Sequence, residues 1–182
     1  MRSFSLTQTN EGVYSVTDDT NATYSFGIHP FDMCRTAPDE EIVSIIAQTA
    51  IERIEMKGTS LPEPQYLLGE CHKNSVALGT NLYQNGYRPT LVSGCNLGAG
   101  DANSLPEAYK QKSVHHWIEL NGFTLEICSE ANGCTGQLYY SSYSPSNYKP
   151  LRKISISEYM QSDIEYPTSE NQEKFIEMTT TY

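Results

Sequence analysis

The sequence predicts an α+β fold on three observations: a long helical repeat after residue 36, a second helix opening at Cys71, and an Asn-Gly hairpin between two β-rich runs. At 182 residues the chain is the size of one compact domain able to bury a core. The boundaries read from it are a single domain over 1–165 and a flexible tail over 166–182, where no core pattern is visible.

Residues 1–30 alternate weakly and are rich in Thr, Asn and Tyr, which suits short edge strands around Val13, Ser15 and 24–28. At Thr36 the pattern changes. Thr36 can cap a helix, Pro38 fits a first turn, and Asp39, Glu40 and Glu41 complement the positive end of a helix dipole. Ile42, Ile45, Ile46, Thr49, Ala50, Arg53 and Ile54 then recur at helical spacing, with a stop near Lys57 and Gly58. The two prolines of 60–70 forbid a regular helix and predict an extended approach to Cys71. From Cys71 a second helix carries an apolar face of Val76, Ala77, Leu78, Leu82 and Tyr83, stopped by Asn85 and Gly86. Residues 87–93 read as a strand entered through Pro89, and 94–112 as a long polar loop.

The clearest local signal is Val114 to Leu120, then Asn121-Gly122, then Phe123 to Cys128. Asn-Gly between β-rich runs is the favoured two-residue turn, because both central residues take positive φ. Such a turn pairs Leu120 with Phe123 and carries Glu126 opposite Trp117, diagonal to His115 on the same face. The Tyr-rich stretch beyond predicts strand and loop, and a short helix opens at Ser157.

Composition excludes some partners. A net charge of −10 with only 12 Lys+Arg speaks against nucleic acid and against anionic membranes, since both need clustered cations. No apolar run approaches the roughly 20 residues of a bilayer span, and the first thirty residues lack the basic start and apolar stretch of a signal peptide. The simple expectation is a soluble, cytoplasmic protein whose oligomeric state is open. The five cysteines, Cys34, Cys71, Cys95, Cys128 and Cys134, form no CxxC pair, and an odd number leaves at least one thiol free in a monomer. In an oxidising compartment Cys128 and Cys134 could bridge across the turn between them.

Three residues carry a candidate chemistry. A thiol in the first turn of a helix, as at Cys71, meets unpaired backbone N–H groups and a dipole that favour its anion. A single cysteine is more often a buried structural residue, so the neighbours decide. His115 stands on a strand, rigid enough to hold a base within reach of a nucleophile, while His116 points to the opposite face. Glu126, across the hairpin, is placed to bond the imidazole, fix its tautomer and stabilise its cation.

The order Gly-Glu-Cys, Gly-Tyr-Arg-Pro, His-His-Trp-Ile-Glu-Leu and Phe-Thr-Leu-Glu-Ile over about 65–130 resembles the transglutaminase-like branch of the papain-like cysteine enzymes. The resemblance implies a papain-like, transglutaminase-like core, with the Cys-bearing helix packed on an antiparallel sheet that bears the His and the acid. It implies a cysteine-dependent amide hydrolase or acyl transferase working through a thioester, with Cys71, His115 and Glu126 as the catalytic triad. Glu126 departs from the Asp more usual in that family. Gln65 stands at the interval before Cys71 where papain-like enzymes place an oxyanion-hole glutamine, and with Trp117 it is expected to form an oxyanion or substrate-binding part. The implied substrate is a protein or peptide, and no cofactor or metal is expected.

Two rival readings are weighed against this one. Cys71, His72, His115 and His116 could suggest a metal site, but adjacent pairs on a helix start or a strand diverge and do not converge on one ion. A catalytically inactive binding module of the same fold, with the Tyr-rich stretch 139–148 as its surface, is the other.

Overall fold

The computed structural model describes residues 3–10, 13–18, 25–30, 38–56, 70–127, 138–141 and 147–162. Among them the chain is α+β, with strands β1 (Phe4–Asn10), β2 (Val13–Asp18), β3 (Ser25–Pro30), β4 (Thr90–Asn96), β5 (Val114–Leu120), β6 (Phe123–Glu126), β7 (Leu138–Ser141) and β8 (Tyr148–Ser155). The helices are α1 (Glu40–Met56), α2 (Cys71–Gln84), α3 (Leu105–Gln111) and α4 (Ile156–Gln161).

The strands form one sheet in the order β1-β2-β3-β7-β6-β5-β4-β8. Every junction is antiparallel except β3 with β7, which run parallel and place Ile28 opposite Leu138. The strands that carry His115 and Glu126 pair antiparallel with their neighbours, and the parallel junction is that of β3 with β7. Pairing between segments so distant in the chain leaves no local trace.

Helix α1 buries Ile42, Val43, Ile45, Ile46, Ala47, Ala50, Ile51 and Ile54. They pack with Val16 and Ile28 of the sheet and with Leu78 and Leu82 of α2 in one core. Each such aliphatic side chain stabilises the fold by roughly 1.5–3 kcal/mol relative to exposure. Thr49 satisfies its buried hydroxyl by donating to Ile45 O at 2.7 Å and accepting from Asn81 Nδ2 at 3.0 Å. The helix begins at Glu40; Thr36, read as its cap, lies outside the described residues along with Lys57 and Gly58.

The face of α2 differs from the expected one. Leu78 and Leu82 are buried, but so are Asn74, Ser75 and Gly79, whereas Val76 and Tyr83 are only partly covered. Gly79 is small because a Cβ there would meet Ile118 Cδ1 at 2.9 Å, so α2 lies directly on β5.

The stretch 94–112 is not the continuous loop expected. Strand β4 runs on to Asn96, and α3 occupies much of the remainder. Ser104 Oγ accepts from Glu107 N at 3.3 Å while Glu107 Oε2 accepts from Asn103 N at 2.7 Å. That is a variant of the reciprocal capping box, and its Ser-x-x-Glu spacing is visible in the sequence. Helix α4 is capped the same way by Ser155, whose Oγ accepts from Glu158 N at 3.2 Å, so the helix starts at Ile156.

The hairpin turn and the three pairs next to it are as expected. Asn121 and Gly122 adopt φ of 50° and 81°, and Leu120 pairs with Phe123, Glu119 with Thr124 and Ile118 with Leu125. The 166–182 segment, the 128–134 cysteines and Cys34 lie outside the described residues.

Candidate active site

Cys71 is the first residue of α2 and is partly exposed. Glu70, at the cap position, gives its side chain to no helix N–H. Its carboxylate instead accepts from Arg53 Nη2 at 2.6 Å.

His115 and Glu126 are almost fully enclosed, at 7% and 3% exposure. They stand beyond the last Cα pair between β5 and β6, Ile118 with Leu125, one on each strand. The imidazole Nε2–H donates to Glu126 Oε1 at 2.9 Å. A carboxylate only accepts, so this bond fixes a proton on Nε2, and Cys71 is the second side chain whose neighbourhood acts on the ring. The electrostatics follow from these neighbours. Burial by itself pushes the imidazole down from 6.5, but the Glu126 charge, the bond donated to Glu126 and the influence of Cys71 outweigh it and raise the group to about 10. At neutral pH the ring is therefore an imidazolium between sulfur and carboxylate.

Trp117 and Tyr148 form the wall behind the ring. The Trp117 indole stacks on His115 at 5.9 Å between centroids, and Tyr148 lies 4.8 Å from His115 and 4.9 Å from Trp117. Trp117 is fully buried and packs against the imidazole. Its Nε1 has no hydrogen-bond partner among the described residues. Gly94 of β4 makes this packing possible, since a Cβ there would collide with Lys149 O and reach 2.7 Å from Trp117 Cη2.

His116 points the other way, as strand alternation requires. Its Nδ1 meets Ser93 Oγ at 3.0 Å, its Nε2 meets Tyr109 Oη at 3.4 Å, and its ring packs edge-on to His72 at 4.9 Å. Burial, then the nearby His72 and His115, hold it well below 6.5. Burial and, secondarily, Lys73 lower His72 to about 4. Both rings are thus neutral and structural. No group of three or more His, Cys, Asp and Glu side chains among the described residues has a geometry that could hold a metal ion.

The structure thus brings Cys71, His115 and Glu126 together, while Gln65 lies outside the described residues. Sequence reasoning passed over the groups that brace them. Arg53 Nε donates to Asn74 Oδ1 at 3.1 Å and Asn74 Nδ2 to Ile127 O at 3.5 Å, with Asn74 only 1% exposed. A polar residue recurring on the buried stripe of α2 is the one signal that could have singled out Asn74.

Comparisons with protein-family models, with curated proteins and with solved structures find no match for this chain. No helix among the described residues is long and apolar enough to cross a membrane.

Proposed function

We propose that the protein is a cysteine-dependent amide hydrolase or acyl transferase, built on a core of the papain-like, transglutaminase-like kind. The observation that carries the reading is one buried imidazole, His115, hydrogen-bonded to a buried carboxylate, Glu126, at 2.9 Å and near enough to Cys71, at a helix start, to be influenced by it. Nucleophile, acid–base group and orienting acid in that order are what thiol acyl transfer requires.

In the reaction the Cys71 thiolate forms a bond to the substrate carbonyl carbon, and the electron pair moves to oxygen. In this reading the Cys71 N–H, at a helix terminus whose cap residue makes no side-chain cap bond, is a donor to that oxyanion. Collapse breaks the C–N bond, and His115 gives its proton to the departing amine. Water or an acceptor amine then attacks the thioester, returning its proton to His115 and the sulfur to Cys71. Glu126 keeps the ring oriented and its cation stabilised throughout. The net charge of −10 favours a basic protein or peptide as substrate.

A second reading, a catalytically silent binding module, draws on a different observation. A groove of about 850 Å³ lined by Phe4, Leu6, Glu40, Ile45, Gln48 and Asn81, among others, lies apart from Cys71. Iodoacetamide separates the two readings. An activated Cys71 alkylates much faster than a free thiol such as glutathione at the same pH; labelling of Cys71 no faster than glutathione would falsify the enzymatic reading.

A further inference from the structure

We propose that Arg53, at the end of α1, is a positioning residue that clamps the start of the Cys71 helix to the strand end bearing Glu126. The inference rests on the enzymatic reading above and adds a residue to it that touches neither thiol nor imidazole.

The geometry is a fork. Arg53 sends Nη2 to Glu70 Oε2 at 2.6 Å and Nε to Asn74 Oδ1 at 3.1 Å, so one rigid guanidinium grips the residue before Cys71 and the residue three after it. Asn74 Nδ2 donates to Ile127 O at 3.5 Å, the carbonyl immediately following Glu126. A single side chain is therefore linked directly to the residue before Cys71 and, through Asn74, to the residue after Glu126. Its own footing is firm, because the residues flanking it on α1, Ile51 and Ile54, are each only 1% exposed.

Cost and gain support a positional role. The side chains of Arg53 and Glu70 are 12% and 19% exposed, so both charges have given up most of their hydration. A largely buried pair often adds little net stability over an apolar replacement, and its common use is to fix one arrangement among several. A planar fork suits that use better than an ammonium, which is a point charge without fixed directions. The arrangement to be fixed is the approach of the α2 terminus to His115 and Glu126. A displacement of about 1 Å there is enough to cost on the order of a hundredfold in rate.

The test uses the full chain and two variants, Arg53→Met and Glu70→Gln, each checked for intact fold by circular dichroism. Two quantities are read: the iodoacetamide rate at Cys71, and the titration midpoint of His115 by NMR. Loss of the clamp lets the ends drift apart, so the alkylation rate falls at least about tenfold in Arg53→Met and less in Glu70→Gln, which keeps a neutral acceptor. The His115 midpoint moves down from about 10 toward 6.5 in step with it. A merely structural role for Arg53 would lower the melting temperature and leave the midpoint in place. Should Arg53→Met fail to fold, Glu70→Gln decides, because it changes one charge and no shape. Wild-type rate or an unmoved His115 midpoint in the folded variants overturns the positioning role. That outcome differs from failure of the enzymatic reading, which shows in the wild-type protein as a sluggish Cys71.

Discussion

The imidazole of His115 and the carboxylate of Glu126 meet at 2.9 Å inside the protein, each on its own strand of one hairpin, and neither reaches solvent appreciably. An ion pair so enclosed makes the protonation of His115 a property of the fold as well as of the site.

Because its folded value of about 10 lies above the ordinary 6.5, His115 adds stability that is fully present below about pH 6.5. That contribution is lost as pH rises toward about 10. Glu126→Gln removes the charge while keeping an acceptor. We expect it to lower the His115 midpoint toward 6.5, flatten the loss of stability between pH 7 and 10, and cost about 1–3 kcal/mol at neutral pH. Urea unfolding across that pH range, with NMR titration of the ring, checks both effects; an unchanged midpoint contradicts the pairing.

Activity should also end on the alkaline side. His115 must hold a proton to release the amine, so turnover of a peptide substrate falls as pH climbs through about 10. Cys71→Ser keeps the site's shape but replaces the nucleophile, and turnover should drop by at least about 10³-fold with little change in melting temperature. Retained turnover in the serine variant would mean the chemistry is elsewhere.

His72 behaves oppositely to His115. Its value of about 4 lies below 6.5, so the folded state resists a proton that the unfolded chain accepts. Stability owed to the neutral ring is complete above about pH 6.5 and is lost as pH falls toward about 4. His72→Gln should flatten that acid decline, measured as the urea midpoint at pH 4.5 against pH 7. An equally steep decline in the variant would assign the acid sensitivity to other groups.

Gly94→Ala places a methyl group against Trp117 and the β8 backbone. Overpacking of this kind costs about 1–3 kcal/mol. Trp117 is the only tryptophan in the chain, so its fluorescence reports the displacement directly. An alanine variant with wild-type emission and stability would show that the wall behind His115 yields without strain.

Much of the site was legible because its determinants are local. Asn121-Gly122 sets the hairpin, the hairpin sets the register from Leu120–Phe123 to Ile118–Leu125, and His115 and Glu126 lie just past it on the two strands. The Ser104 and Ser155 caps were equally local, yet a scan for apolar periodicity passes over a helix as short as α3, whose buried residues are Ala108 and Tyr109. The Arg53 clamp was invisible for a different reason: Arg53, Glu70 and Ile127 belong to three separate segments, and a charged residue on a helix reads as solvated until its partners are known.

What the sequence determined alone is what short-range sterics and hydrogen bonding dictate: the α+β class, the hairpin turn at Asn121-Gly122, and a thiol at the start of a helix. Tertiary structure decided what depends on bringing distant segments together, namely the parallel β3–β7 junction, the burial of Trp117 behind the imidazole, and the meeting of Cys71 with His115. The reason is physical: an intrasegment preference is expressed in neighbouring residues, whereas the energy of a long-range contact exists only once the chain has closed the loop between its partners.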